Sequence, residues 1–390
     1  MVKHEAQEDW VCDSWYATAG SATPESPQSP LAKVANGAGG GFAARLLESL
    51  GRRPSVRAWR LFRVSGRYKV VATTGARESI WYGALRCLPV WRNSSRHLVL
   101  EFFANPPRGL VGCALWPFLR RLVSSALNSA DLIVVHSSPE TAIYAQSFGL
   151  RKNKLLYLPY GADDGALAME TSDEGYVIAA GRDSRDFATF LAATSDAGVP
   201  TEIVAPQGAL SPGDLPAHVT LRESLTWQGF IECLAQARLV VVPLEDKARS
   251  VGQLTILQAM ALGKPVIATR TVGTIDYVCH GVTGILVPPH DSASIRHWIR
   301  RLWSDPSMRT ALGEQARRVA EHYSQTRFLE VVRRLASLLA RGCAPAPEDM
   351  GVFGMRPVDL AAMLAKEESP FLPSSLLSAS LRNSFPGEPR

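Results

Sequence analysis

The sequence predicts an α/β protein: two doubly wound parallel-sheet domains facing across a cleft, the N-terminal one shortened. Three observations predict it. Short β-branched apolar runs alternate with helical patterns through the middle of the chain. Those runs are apolar throughout rather than alternating, as expected of strands buried on both faces beneath helices. At 390 residues the chain exceeds one ordinary domain and fits two.

The second half carries the clearer pattern. GYVIAAG (175–181) leads into a helix; TEIVAP (201–206) follows. VTLRESL (219–225) precedes FIECLAQA, and LVVVPL (239–244) precedes LTILQAMALG. PVIAT (265–269) is followed by the helical pattern TIDYVCH, and GILVPP (284–289) by a helix from Ser292. Two further helices run from Pro306 to Tyr323 and from Arg327 to Leu339, the latter ended by Gly342. Six strands interleaved with helices match a doubly wound domain.

The first half is thinner. A helix at Phe42–Leu50 is closed by Gly51, with Pro54 beyond. KVVATTG (69–75), a helical stretch to Leu88, HLVLEFF (97–103), a helix near Trp116–Leu127, ADLIVVHSS (130–138), another helix and KLLYLPYG (154–161) complete it. About four strands are fewer than such a domain usually holds. Either the domain is shortened, or its first strand lies in the N-terminal tail.

Residues 1–41 and 343–390 read as flexible tails, rich in Pro, Ser and Gly, although PVDLAAMLAK (Pro357 to Lys366) suits a short helix with Pro at its start. The expected organisation is therefore one Rossmann-like domain over 42–160, a linker over 161–174 and a second Rossmann-like domain over 175–342.

Composition excludes several classes. With 46% hydrophobic and 20% charged residues the chain is neither disordered nor fibrous. No apolar run reaches the roughly 18 residues of a membrane span; the longest, Gly109 to Leu119, stops at Arg120-Arg121. The acids of MVKHEAQEDW stand where an export signal would be apolar. Six cysteines without C-x-x-C or zinc spacing fit reduced thiols, so a cytoplasmic protein is expected. A net charge of +6 is too diffuse to argue for nucleic acid.

Functional residues of parallel sheets follow the strands. After LVVVPL, Ser250 and Gly252 leave the first-turn N–H groups of the next helix approachable, an anion site aided by the helix dipole. Gln258, two turns on, can both donate to and accept from hydroxyls. Equally, Gly252 relieves crowding and Gln258 is an ordinary helix residue. After GYVIAAG, Arg182 and Arg185 match a diphosphate in charge and geometry, or are surface arginines tied to Asp183 and Asp186.

The stretch PVIATRTVGTIDYVCHGVTGILVPPHDSASIRHWIRRLWSDPSMRTALGEQARRVAEHYS resembles the C-terminal half of family 4 glycosyltransferases, retaining enzymes of the two-Rossmann GT-B type. AAGR resembles their glycine-arginine turn, and ADLIVVHSSPETAIYAQSFGLRKNKLLYLPYGAD their domain-joining segment; the resemblance covers about residues 130–325. It implies transfer of a sugar from a UDP- or GDP-sugar to a lipid-linked, saccharide or small-molecule acceptor, with retained configuration and no obligatory metal or other cofactor. By position it implies that Gly181 and Arg182 hold the donor diphosphate and that Gly252, Gln253 and Leu254 line the phosphate turn. Gln258 stands for the acid on the ribose hydroxyls and Ser250 for the acid nearer the donor sugar. Gly273 and Asp276 match the glycine and acid after the next strand.

The chain departs from the family at named positions. Two glutamates separated by seven residues read Ser250 and Gln258, with Glu245 and Asp246 nearby. The lysine after the Gly-Arg turn is missing, and Arg185 is the nearest cation. The first-domain histidine is missing, and HLVLEFF offers Glu101. Arg182, Arg185, Glu101 and Ser250 are the expected catalytic set. The rival expectation is a non-catalytic nucleotide-sugar binder.

Other features stand apart. Phe42 to Lys69 holds eight cations against Glu48, with Val56, Trp59 and Phe62 interleaved among Arg57, Arg60 and Arg63. That suits peripheral contact with the inner face of a membrane, or a helix packing its aromatic edge on its own domain. Gly37 to Gly41 reads as linker, and His136 as a structural histidine. His280, His290 and His297 lack ligand spacing.

Overall fold

The computed structural model describes residues 10–12, 54–89, 94–105 and 110–368. They form two compact units, Met1–Val135 with Thr141–Leu156 and Leu335–Pro345, and His136–Glu140 with Tyr157–Arg334 and Ala346–Arg390. The predicted helix at Phe42–Leu50 and the glycine run at 37–41 lie outside the described residues.

The first unit carries a five-stranded sheet in the order β1 (Trp10–Cys12), β2 (Val70–Thr74), β3 (Arg96–Glu101), β4 (Leu132–Val135) and β5 (Leu155–Tyr157). β1 with β2, β2 with β3 and β3 with β4 pair in parallel. β1 is the strand sought in the N-terminal tail, which is therefore not wholly tail. Every step along this sheet runs in one direction, so right-handed crossovers put the connecting helices on one face. Accordingly α1 (Pro54–Ser65), α2 (Ala76–Arg86) and α3 (Leu110–Asn128) pack side by side. Ala58 and Leu61 of α1 close on Val71 and Tyr82. Gly83 of α2 meets α3 so closely that a Cβ there would strike the Ala126 carbonyl. Beneath them His97 is buried, its Nε2 2.9 Å from Thr73 Oγ1, and Asp131 accepts from His97 N at 2.8 Å. The chain continues through α4 (Ser138–Phe148).

The second unit begins with a short helix, α5 (Asp164–Ala168), in the predicted linker. That stretch is folded rather than spacer: Leu167 O accepts from Arg317 at 2.6 Å and Ser172 O from Lys264 Nζ at 2.6 Å. Six parallel strands follow: β6 (Val177–Ala180), β7 (Thr201–Ala205), β8 (Val219–Glu223), β9 (Leu239–Val242), β10 (Val266–Thr269) and β11 (Ile285–Val287). Their order, β11-β10-β9-β6-β7-β8, reverses direction between β6 and β9. Between them run α6 (Phe187–Ser195), α7 (Trp227–Gln236) and α8 (Gln253–Ala261); α9 (Ser292–Ser304), α10 (Pro306–His322) and α11 (Gln325–Ala340) follow. The core sets Val177, Ile203, Val241, Ile267 and Ile285 of the sheet against Phe190, Ile295 and Ile299.

Two expectations need correction here. TIDYVCH forms successive turns, not a helix, because the Thr274 hydroxyl bonds Thr269 O at 2.7 Å and accepts from Thr271 N at 2.9 Å. The predicted C-terminal tail is ordered through residue 368: a 3-10 segment, Pro347–Gly354, precedes α12 (Pro357–Glu368). Met350, Phe353, Val358 and Ala361 are buried, and Tyr323 Oη donates to Met355 O at 3.0 Å. Its prolines start these segments rather than break them.

Candidate functional site

The reversal between β6 and β9 is the place where a doubly wound sheet opens a crevice at its carboxyl edge. Two loops meet there, the one after Ala180 and the one after Val242, joined by a bridge between Arg185 and Leu244. Gly181 ends β6 at φ +145°, and the Arg185 guanidinium lies directly over it. Arg185 donates from Nε to Ala180 O, from Nη1 to Asp183 O and from Nη2 to Thr255 Oγ1, each at 2.9 Å. Burial lowers its pKa to about 10, opposed by Asp183, so it stays a cation at neutral pH. Asp183 pairs with Arg249, and Ser184 accepts from Lys247 at 2.8 Å, which ties the two loops together. Although burial raises it, the bonds Asp183 accepts from Arg249 and from Ser184 Oγ hold its carboxyl below its ordinary range. Arg182 stands exposed at the rim, without a hydrogen bond or ion pair among the described residues.

α8 begins here and differs from its neighbours. Asp163, Asp186, Thr226, Asp291 and Asp305 cap α5, α6, α7, α9 and α10 with side-chain oxygens. α8 starts at Gly252, left-handed at φ 90°, with no side-chain cap. A Cβ there would meet Leu244 at 2.9 Å. The first-turn N–H groups thus have no internal acceptor and sit beside the Arg185 cation, an anion site in charge and direction. In that turn Gln253 is buried, its Nε2 without a partner, while Leu254 is exposed.

The strand β10 loop closes the other side. Gly273 sits so close that a Cβ would lie 2.5 Å from both Val251 N and Val251 O. Ser250 is buried beneath it; its N donates to Glu140 Oε1 at 2.7 Å and its Oγ is unpartnered. The fully buried Glu140 also accepts from His136 N at 3.2 Å.

Gly181, Arg185, Ser250, Gly252, Gln253 and Gly273 are therefore brought together, with Arg182 and Leu254 at the rim. Asp276 lies apart. It is fully buried and accepts from Ser138 N at 2.5 Å and Ser138 Oγ at 2.8 Å, with Arg356 3.5 Å away; burial nonetheless raises its pKa. Gln258 is buried with its Oε1 accepting from Asp163 N at 2.9 Å, which fixes the orientation of its amide. Asp163 also accepts from Trp227 Nε1 at 3.0 Å. Glu101 belongs to the first unit, where its carbonyl accepts from Gly75 N at 2.8 Å beside a β2–β3 irregularity. His136 stacks on Tyr160 and bonds Leu158 O at 2.8 Å, a structural role.

Sequence reasoning missed Glu140, Thr255, Asp163 and Trp227. Thr255 stood in plain view three residues past Gly252. Glu140 meets Ser250 across 110 residues of sequence, and no local spacing announces it.

Comparison with known proteins adds to this geometry. Residues 198–305, which include α8 and both of its flanking loops, match the family model of glycosyl transferases group 1. An exopolysaccharide phosphotransferase of Streptomyces coelicolor is 35% identical over 102 residues, 26% of this chain and 10% of the relative. A D-inositol 3-phosphate glycosyltransferase of Catenulispora acidiphila is 38% identical over 102 residues, 26% of this chain and 23% of the relative. An alpha-D-kanosaminyltransferase of Streptomyces kanamyceticus is 27% identical over 168 residues, 40% of this chain and 41% of the relative. The chain thus spans well under half the length of these curated relatives. Among solved structures, Anabaena HepE in complex with UDP superposes with TM-score 0.60 at 17% identity, over 77% of this chain and 90% of that one. Sucrose-phosphate synthase from Thermosynechococcus elongatus gives 0.56 at 18%, over 73% and 80%. The fold is of the GT-B type, with two Rossmann-like parallel-sheet units.

Proposed function

We propose that this chain is a retaining glycosyltransferase of family 4, moving a hexosyl group from a UDP- or GDP-sugar to a lipid-linked, saccharide or small-molecule acceptor. One observation carries the reading: the uncapped N-terminus of α8 lies beside the half-buried Arg185 cation at the switch point of a parallel sheet. Fixed N–H dipoles and a fixed guanidinium stabilise the charge that develops on a departing nucleoside diphosphate. Arg182 at the rim supplies a second cation, with Gly181, Gln253 and Leu254 lining the same turn. The Gln258 amide donates to the ribose. Gly273, Ser250 and Asp276 hold the surrounding loops, and Glu101 addresses the acceptor. UDP and UDP-glucose are bound by the superposable HepE, which supports the donor class.

The test is thermal shift with a panel of UDP-, GDP- and ADP-sugars, followed by donor hydrolysis and product anomer by NMR. Stabilisation by one sugar nucleotide and a retained anomer are expected; no stabilisation by any of them overturns the reading. A second reading, a non-catalytic sugar-nucleotide binder, is favoured by Ser250 Oγ being buried and Gln258 Oε1 being engaged. Binding without turnover selects it.

A further inference from the structure

The first unit presents a surface that sugar transfer does not use. α1, α2 and α3 form one layer, and their outer side is both apolar and cationic. On α3, Phe118 and Leu122 stand one turn apart, 72% and 71% exposed. On α2, Trp81 is 52% exposed and Leu88, just past its end, 45%. The two helices pack together, and Cys87 Sγ lies 3.7 Å from Ser125 O, which sets the end of α2, with Leu88, against the last turns of α3. Apolar groups this large and this exposed, grouped together, mark an interaction surface.

The charge around them has one sign. Arg60 and Arg63 of α1, Arg77 of α2 and Arg121 of α3 are exposed. The three helices contain a single acid, Glu78, which is buried and paired with Arg57. On α1 Phe62 is turned inward against Tyr82, while Trp59, stacked on Phe62, is 38% exposed, so α1 adds a partly exposed aromatic to its arginines. The projecting Phe118, Leu122 and Trp81 belong to the other two helices.

We propose that this face docks on an anionic lipid bilayer, Phe118, Leu122, Trp81 and Leu88 entering the headgroup boundary while Arg60, Arg63 and Arg121 meet lipid phosphates. Charge complementarity selects that occupant. A second copy of the same face would bring like charges together, and a nucleic acid would leave the branched aliphatic side chains in water. The surface lies wholly in the first unit and holds whether or not the second binds a sugar nucleotide.

Sedimentation of the full chain with phosphatidylcholine vesicles, with and without phosphatidylglycerol, tests it. Preference for the anionic vesicles is expected. Phe118→Ser/Leu122→Ser should lower partitioning about tenfold or more, and Arg60→Glu/Arg63→Glu should abolish the preference for anionic lipid. Both variants change exposed positions and should keep the wild-type Tm and sugar-nucleotide response. Equal binding to both vesicle types, absence of binding, or unaltered partitioning of the variants overturns the proposal. So does a wild-type dimer, seen by light scattering, that the Phe118→Ser/Leu122→Ser variant dissolves.

Discussion

Replacing Gly181 with alanine puts a methyl group where the Arg185 guanidinium now lies. The guanidinium must leave, giving up its bonds to Ala180 O, Asp183 O and Thr255 Oγ1. Hydrogen bonds from a charged donor contribute about 1.5–3 kcal/mol each. Water reaches the displaced arginine and restores much of that, leaving a loss of about 2 kcal/mol. Alanine at φ +145° adds about 1 kcal/mol of backbone strain. The total, about 3 kcal/mol, corresponds to roughly 6–12 °C in Tm for a domain of this size. Urea unfolding of Gly181→Ala, Arg185→Ala and the double variant isolates the contact. With the guanidinium already gone, Gly181→Ala should cost only the strain, so the two losses should fall short of adding by about 2 kcal/mol. Nucleoside diphosphate affinity should fall in both single variants. Additivity within about 0.5 kcal/mol would refute the account of Gly181 as the seat of Arg185.

Three further outcomes are expected. Glu140→Gln keeps one acceptor for two buried N–H donors, Ser250 N and His136 N, and should cost about 2 kcal/mol in chemical denaturation; unchanged stability would show that the carboxylate does not hold the loop. Gly273→Ala sets a methyl against Val251 backbone atoms that cannot yield, and should weaken diphosphate binding about tenfold, read by calorimetry. His97 is held neutral, its pKa pushed well below 6.5 by burial and then by Arg86 and Lys154. The unfolded chain therefore takes up a proton near pH 6.5 that the folded chain does not, so stability is full above that pH and falls below it by up to about 1.4 kcal/mol per pH unit. His97→Gln should flatten the decline of Tm from neutral pH to about pH 5; parallel curves for the two proteins would remove His97 as its cause.

Five strands of the second unit, β6, β7, β9, β10 and β11, were legible because they are buried along their whole length and so read as near-continuous apolar runs, as LVVV of β9 does. The edge strand β8 departs from the expectation of runs apolar throughout, alternating half-buried Val219, Leu221 and Glu223 with exposed Thr220 and Arg222. Position after a strand pointed to the loops at Gly181 and Gly252, which the structure places side by side. What those residues do there was not legible. Arg185 reads from sequence as a loop cation, but its three bonds come from burial against a glycine and a helix brought in from 70 residues away. Asp276 reads as a site acid, yet its partner Ser138 is 138 residues distant. The turns at Thr271–Tyr277 escaped because side-chain hydroxyls there compete with helix bonding, which apolar periodicity does not register. Of the ordered C-terminal segments, α12 was legible in PVDLAAMLAK, whereas the 3-10 segment Pro347–Gly354 escaped because prolines and serines mark both tails and capped short helices.

The three residues of β1 shield the outer edge of the first sheet, with Trp10 opposite Val70, Val11 opposite Val71 and Cys12 opposite Ala72. Composition places the start of the folded chain near Phe42, and a protein trimmed there would lose that cover. β2 would then present an open row of N–H and C=O groups flanked by Val70, Val71 and Ala72, a ready template for strand addition from another molecule. A segment that looks dispensable by its composition thus covers the hydrogen-bonding edge of β2 with a strand of only three residues.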